Sequence, residues 1–403
     1  MKIGVIADDL TGALDTGLEF WRRGLKTIVA TSHKNLRGYA GSTDVIVIDT
    51  GTRTSSSRRA SARVSDAAKL LKRLGAQYFY KKVDSTLRGN VGAEIEAVMD
   101  ELDIEATILA PSLPEQGRTT VGGYVYVDGK RLDRTVFVRD KLSPARHSHA
   151  PSLVGEQTRK RVGLIRLSSV RRNLDDDIET QRRRGAQIIV ADAVTRRDLM
   201  RICECMAKKG LGRLSCGSAG LASELPVALG LCKRPSPALV LSGSLNKVTR
   251  EQMRVFDEVM EPRMAGLRLS GLKSRGSLKN AQRALIEAIR NGQDAALYLY
   301  GDGATGQREV VKSLSSFRQT IREIVGGTRV EGLVLVGGET AAQACQALGA
   351  KVMVIEDEAS SGLACARMLD GENKGLRIVT KAGGFGNEDA LVRAVSFLKL
   401  RRP

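Results

Sequence analysis

Short apolar runs bounded by turn residues alternate with segments of helical period along most of the chain. The runs cover residues 3–7, 27–30, 45–49, 78–82, 107–110, 162–167, 187–191, 238–241, 295–300, 332–336, 351–355 and 377–380. They are continuous rather than alternating and too short for buried helices, which predicts strands covered on both faces. Between them, apolar positions recur at three- and four-residue spacing over 11–23, 57–74, 90–102, 195–208, 247–259, 278–291, 305–325, 340–348 and 387–398. This order predicts an α/β fold of mainly parallel sheets flanked by helices. Residues 111–151 break the rhythm, with prolines, Gly122-Gly123 and an alternating YVYV segment before Asp128-Gly129 that predicts a β-hairpin or flap. A second break, Cys232-Lys-Arg-Pro235-Ser-Pro237, cannot continue a helix. The chain therefore divides into two predicted domains, 1–232 and 238–400, with the active site expected in the cleft between them.

Composition narrows the class. The 403 residues are 42% hydrophobic, only 4% aromatic, and include 42 glycines, a profile of glycine-lined α/β turns rather than an aromatic-rich sandwich. No apolar run approaches the ~18 residues of a membrane helix. The start, MKIGVIADD, meets two carboxylates too early for a secretory signal, so a cytoplasmic protein with no membrane partner is expected. The six cysteines lack a CxxC pair and the three histidines lack metal-ligand spacing, which argues against a disulfide framework and a zinc site.

The net charge of +19 makes nucleic acid a partner to weigh. Its densest stretch, residues 156–213, carries 15 Lys/Arg against 8 Asp/Glu but no Phe, Tyr or Trp on which bases could stack. Solvated helix faces and attraction of small anions account for it, and no nucleic-acid partner is expected. The oligomeric state is open at this level, a homo-oligomer included.

Two polar constellations follow predicted strands in the N-terminal half. In IGVIADDLTGALD an apolar strand ends at Asp8-Asp9 and a helix begins, which places two carboxylates at the functional edge of a parallel sheet. Asp9 alone could be a helix cap, but two adjacent caps are redundant. In YFYKKVDSTLRGN, Lys81, Lys82, Asp84, Ser85 and Arg88 crowd one strand-to-helix loop; an Arg88 fork suits a ligand carboxylate, and Asp84 a hydroxyl. The plainer alternative is a mutual ion pair, since Asp84 and Arg88 lie one helical turn apart.

Four glycine- or hydroxyl-rich loops occupy predicted strand ends in the C-terminal half: Ser242-Gly243-Ser244 with Thr249, Gly301-Asp302-Gly303, Gly337-Gly338-Glu339-Thr340, and Lys381 to Gly386. Loops that open helices offer bare N–H groups to phosphates. Residues 301–306 formally match GxGxxG, but a dinucleotide site needs an acidic residue ~20 positions on. The next predicted strand ends at Glu339, 33 residues beyond Gly306, which keeps a nicotinamide-dependent hydroxy-acid dehydrogenase as the alternative rather than the main reading. No GxxxxGK[ST] occurs, so a P-loop is excluded.

In this order the motifs resemble those of the four-carbon acid sugar kinases. ADDLTGALDTG, KKVDSTLRGN, APSLPEQGRTTVGG, GSAGLA, SGSLNKVTREQ, GGETAAQ and TKAGGFGNED span nearly the whole chain. The resemblance implies a sugar-acid-binding N-terminal domain and an ATP-binding C-terminal domain. It implies a kinase that uses ATP and Mg²⁺ on the terminal hydroxyl of a small anionic sugar acid. By position, Asp8, Asp9, Arg53, Lys82, Asp84, Ser85 and Arg88 form the substrate side. The mechanism expected from these residue types puts the substrate carboxylate on Arg88, helped by Lys82, and the hydroxyl on an aspartate among Asp8, Asp9 and Asp84, with Asp84 and Asp9 ranked nearly equal as base. Ser244, Gly337, Gly338, Glu339, Thr340 and Gly383 form the ATP side, with Lys381 beside the phosphates or anchoring its own loop. The ADDLTG and STLRGN motifs are closer to those of D-threonate and D-erythronate kinases than to those of 3-oxo-tetronate kinases. No metal ligand is read from the sequence.

Overall fold

The computed structural model describes residues 1–32, 36–139, 147–268, 275–300 and 307–400. Two compact units follow one another along the chain, Met1–Lys233 and Arg234–Leu400.

In the first unit eight strands form one sheet, seven of them from the apolar runs: β1 (Ile3–Ala7), β2 (Thr27–Ala30), β3 (Val45–Asp49), β4 (Tyr78–Lys82), β5 (Thr107–Ala110), and, beyond the flap, β9 (Val162–Ile165) and β10 (Ile188–Ala191), with β11 (Leu214–Gly217) as the eighth. Their order across the sheet is β2-β3-β1-β4-β11-β5-β10-β9, every pair parallel. Alternate side chains serve two cores. Ile3, Val5 and Ala7 pack with Val45, Val47, Phe20 and Leu221 on one face, while Ile6 joins Ile46, Ile48, Phe79, Val64 and Ile95 on the other. Burial on both faces is why these strands read as unbroken apolar runs. β11 was not predicted: its LSCG sequence is short and lacks an apolar run, although it lies at the middle of the sheet.

The flap is a three-stranded antiparallel sheet of β6 (Arg118–Val121), β7 (Tyr124–Val127) and β8 (Lys130–Arg131). Both turns have two residues at positive φ, Gly122-Gly123 (60° and 80°) and Asp128-Gly129 (50° and 74°), the geometry that suits strand twist in tight hairpins.

The second unit carries β12 (Ala238–Ser242), β13 (Arg263–Arg268), β14 (Ala295–Tyr300), β15 (Gly332–Val336), β16 (Met353–Ser360), β17 (Leu363–Met368) and β18 (Arg377–Lys381) in the order β13-β14-β12-β15-β18-β17-β16. The first five are parallel. The apolar run at 351–355 departs from expectation, because β16 is an exposed edge strand antiparallel to β17. Two residues separate those strands, with Gly362 at φ +78°; a parallel crossover needs a dozen or more.

Among the described residues no helix is long and apolar enough to cross a membrane. Many charges of the basic stretch are paired: Lys160 with Asp100, Arg171 with Asp198, Arg196 with Glu224, Lys208 with Asp175 and Lys209 with Glu179.

Candidate active site

Chain order reverses at the β1/β4 pair, since β1 leads toward β2 and β3 on one side and β4 toward β5 on the other. Ligands of open α/β sheets bind outside the carboxyl ends of strands at such a switch point. A cavity of about 190 Å³ lies there, lined among others by Asp9, Gly12, Arg53, Lys82, Asp84 and Arg88.

Each strand end contributes in turn. After β1, Asp9 caps the helix Leu10–Arg22, its Oδ1 accepting from Gly12 N at 2.9 Å. Asp8 and Asp9 are also gripped together by Arg53, which follows β3. Arg53 Nε and Nη2 donate to the Asp8 carboxylate at 2.7 and 3.1 Å, and Nη1 and Nη2 to that of Asp9 at 2.8 Å each. The Asp8-Asp9 pair is therefore both a cap and an arginine cradle.

Pleating sends the two lysines at the end of β4 to opposite faces. Lys81 leaves the site and pairs with Glu94 at 2.8 Å, both side chains buried. Lys82 lines the cavity, buried, and its ammonium makes no hydrogen bond or ion pair among the described residues. Burial pushes its ammonium below the ordinary lysine range, against the pull of Asp8 and Asp84.

The DSTLRG loop turns at Leu87, a buried non-glycine residue at φ +56°. This wraps it around the Asp84 carboxylate, which accepts from Arg88 Nε at 2.8 Å, Arg88 Nη2 at 3.0 Å, and the Thr86 hydroxyl. Burial alone would raise the Asp84 carboxyl, but the Arg88 and Arg53 guanidiniums outweigh it and hold it well below the usual range. The Arg88 fork, expected at a ligand carboxylate, is thus occupied by Asp84, the ion pair anticipated from their spacing. Ser85 lines the cavity beside them.

Several lining residues were not singled out from sequence: Thr11, Asp15, Gln116, Arg118, Phe137 and Ser218. Asp15 had a readable signal, because it follows Thr11 by one helical turn within ADDLTGALD. Phe137 had none. The Arg88 and Arg118 guanidiniums both lie over its ring, their central carbons 5.5 and 5.4 Å from the ring centre. Ser218 caps the helix Ala219–Ala228, and its carbonyl accepts from the buried Tyr80 hydroxyl.

In the second unit, the loops after β12, β15 and β18 are neighbours on one sheet edge. Gly243 N donates to Thr340 Oγ1 at 2.9 Å, and Thr249 Oγ1 donates to Gly383 O at 2.7 Å while lying 3.0 Å from Ser244 Oγ. A Cβ on Gly383 would collide with the Ser244 hydroxyl. Gly337, at φ +100°, caps the helix Gly338–Leu348, whose first turn holds Glu339 and Thr340. Lys381 spends its ammonium on its own loop, donating to the carbonyls of Ala382 and Gly383 at 2.9 and 3.2 Å. The loop at 301–306 lies outside the described residues.

Among the described residues no group of three or more His, Cys, Asp or Glu could hold a metal ion.

Comparison with known proteins bears on these two sites. Residues 3–225 match a family model described as a sugar-binding N-terminal domain, and residues 239–391 one described as a nucleotide-binding C-terminal domain. The chain is 31% identical to a D-threonate kinase of Salmonella typhimurium over 99% of both chains. It is 30% identical to a D-erythronate kinase of Heliobacterium modesticaldum over 98% of this chain and 97% of the other. A crystal structure from Bordetella bronchiseptica, a domain of unknown function with bound citrate as a domain-swapped dimer, superposes with a TM-score of 0.61 at 27% identity over the whole of both chains. The chain belongs to the four-carbon acid sugar kinase family.

Proposed function

We propose that this protein is an ATP-dependent kinase that phosphorylates the terminal hydroxyl of D-threonate or D-erythronate, with the acid bound in the N-terminal cavity. The observation that carries this reading is Lys82, a buried ammonium without a partner among the described residues, in a small, polar, carboxylate-lined cavity. Such a cation calls for an anion. At about 190 Å³ the cavity is below the ~300 Å³ at which drug-sized sites begin, which suits a short acid. D-threonate and D-erythronate kinases match at 31% and 30%, against 28% for a 3-oxo-tetronate kinase of Cupriavidus necator.

In this account Lys82 takes the substrate carboxylate. The Arg88 and Arg118 guanidiniums and the Phe137 ring also line the cavity. Arg53 fixes Asp8 and Asp9, and Asp84 accepts from a substrate hydroxyl; its depressed proton affinity makes it an orienting group. Ser244, Gly337, Gly338, Glu339, Thr340 and Gly383 receive the phosphates of ATP through main-chain N–H groups and hydroxyls. Mg²⁺ arrives as part of the nucleotide substrate. Phosphoryl transfer depends mainly on alignment and charge neutralisation. A cytoplasmic enzyme acting as a homo-oligomer is consistent with this reading.

The test is ADP release against D- and L-threonate, D- and L-erythronate and 3-oxo-tetronates. D-threonate or D-erythronate should give the highest kcat/KM, with turnover abolished by chelation of Mg²⁺. Preference for a 3-oxo acid, or NAD(P)H-linked oxidation of a hydroxy acid without ADP release, would overturn the proposal.

A further inference from the structure

Among the described residues three carboxylates line the N-terminal cavity: Asp9, Asp15 and Asp84. Asp9 is held by Arg53 and by the helix cap, and Asp84 by Arg88 and Thr86. Asp15 differs. Among the described residues its carboxylate makes no hydrogen bond and no ion pair. It stands on the helix Leu10–Arg22, on the same face as Thr11 and Gly12, and all three border the cavity that Lys82 enters.

We infer that Asp15 is the proton acceptor for the substrate hydroxyl that attacks ATP. This rests on the kinase reading and refines it, since the two aspartates favoured by sequence are committed to arginines while this one faces the cavity unpartnered. In the step, a lone pair of the hydroxyl oxygen forms the new bond to the γ-phosphorus. The bond from that phosphorus to the β,γ-bridging oxygen breaks, and ADP leaves with its electron pair. The hydroxyl proton passes to the Asp15 carboxylate, which later returns it to water.

The electrostatics agree with the role. Burial raises the Asp15 carboxyl above the ordinary value, opposed by Lys82 and Arg22 and aided by Asp9. The charged groups acting on it are thus Lys82 from β4, Arg22 on its own helix and Asp9 at the end of β1. Arg53, Asp84, Arg88 and Arg118 line the rest of the cavity. A carboxylate with raised proton affinity is the better acceptor, and Asp84, held low, the poorer one.

The test compares the wild-type enzyme with Asp15→Asn and Asp15→Ala in ADP release, together with calorimetric binding of the preferred tetronate. Asp15→Asn should lose about 10²- to 10⁴-fold in kcat, keep tetronate affinity within about threefold, and lose the acid limb of the wild-type kcat–pH profile. Formate should restore part of the activity of Asp15→Ala, which a merely structural defect would not allow. Asp15→Asn retaining kcat within threefold, or formate giving no rescue of an Asp15→Ala enzyme that still binds the acid, would overturn the assignment alone. A wild-type enzyme that releases ADP with no tetronate would overturn the kinase reading and this assignment with it.

Discussion

Replacing Gly12 with alanine should separate binding from folding. A Cβ at this position would stand 2.6 Å from Asp9 Oδ1 and 2.7 Å from Lys82 Nζ, inside any real contact. Both neighbours are ends of flexible side chains, so each must withdraw by several tenths of an ångström to reach ordinary contact near 3.4 Å. For stability the effects oppose each other. Alanine gains up to ~1 kcal/mol of helix propensity over glycine, while the weakened Asp9 cap costs ~1 kcal/mol. The net change should be within ~1 kcal/mol, or a Tm shift below ~4 °C. Binding has no such compensation. A displaced Lys82 forfeits a charge-assisted hydrogen bond of about 1.5–3 kcal/mol, which corresponds to a roughly 10- to 100-fold rise in KM for the sugar acid. Steady-state ADP release with the acid varied at saturating ATP, and then with ATP varied, reads this directly. KM for ATP should stay within about twofold. An unchanged KM for the acid, or a Tm fall beyond ~10 °C, would refute the reasoning that Gly12 keeps Lys82 in place.

Lys82→Met keeps side-chain length without the charge. It should raise KM for the acid by at least ~100-fold while leaving or increasing Tm, because a buried unpaired ammonium is costly to the fold; KM unchanged in steady-state kinetics would contradict the carboxylate role. Glu224 is a matter of stability: burial would raise its carboxyl, but Arg196 and Arg23, at 2.5 and 3.0 Å, bring it down to about 2. Because the folded value is lower than the unfolded one, near 4.5, its contribution is full above that pH and is lost as pH falls toward about 2. Glu224→Gln should therefore cost about 3–5 kcal/mol at neutral pH and show a shallower loss between pH 4.5 and 2, measured by urea unfolding; an unchanged acid limb would contradict it.

Much of this architecture was legible because the parallel strands are buried on both faces. Runs such as IGVIA and GLVLV have no polar interruption, and they end abruptly, at Asp8-Asp9 and at Gly337-Gly338. The signal failed where that contrast was absent. β11 is a short LSCG segment that borrows its place from its neighbours β4 and β5. The edge strand β16 is apolar at Val354 and Ile355, yet both side chains are exposed, so hydrophobicity alone suggested a buried strand. β17 was not predicted at all, and it is the two-residue link between the observed strands that makes them an antiparallel pair.

The site shows the same division. Local spacing exposed the Asp84–Arg88 pairing and the capping geometry of Asp9. The union of Asp8 and Asp9 with Arg53 crosses 44 to 45 residues and depends on β1 lying beside β3. Lys81 and Lys82 are equivalent as letters, and only the pleat separates a buried ion pair from a cavity cation. Phe137 reaches the cavity from the flap region, where no periodicity points to it.

The central claim is that the acid sits with its carboxylate at Lys82 and receives phosphate on the hydroxyl farthest from it. Phosphorus–proton correlated NMR of the product formed from D-threonate and ATP tests it directly. Coupling of the ester phosphorus to the two protons of the terminal methylene is the predicted result. Coupling to a single methine proton would place the phosphate on an inner hydroxyl and contradict the account.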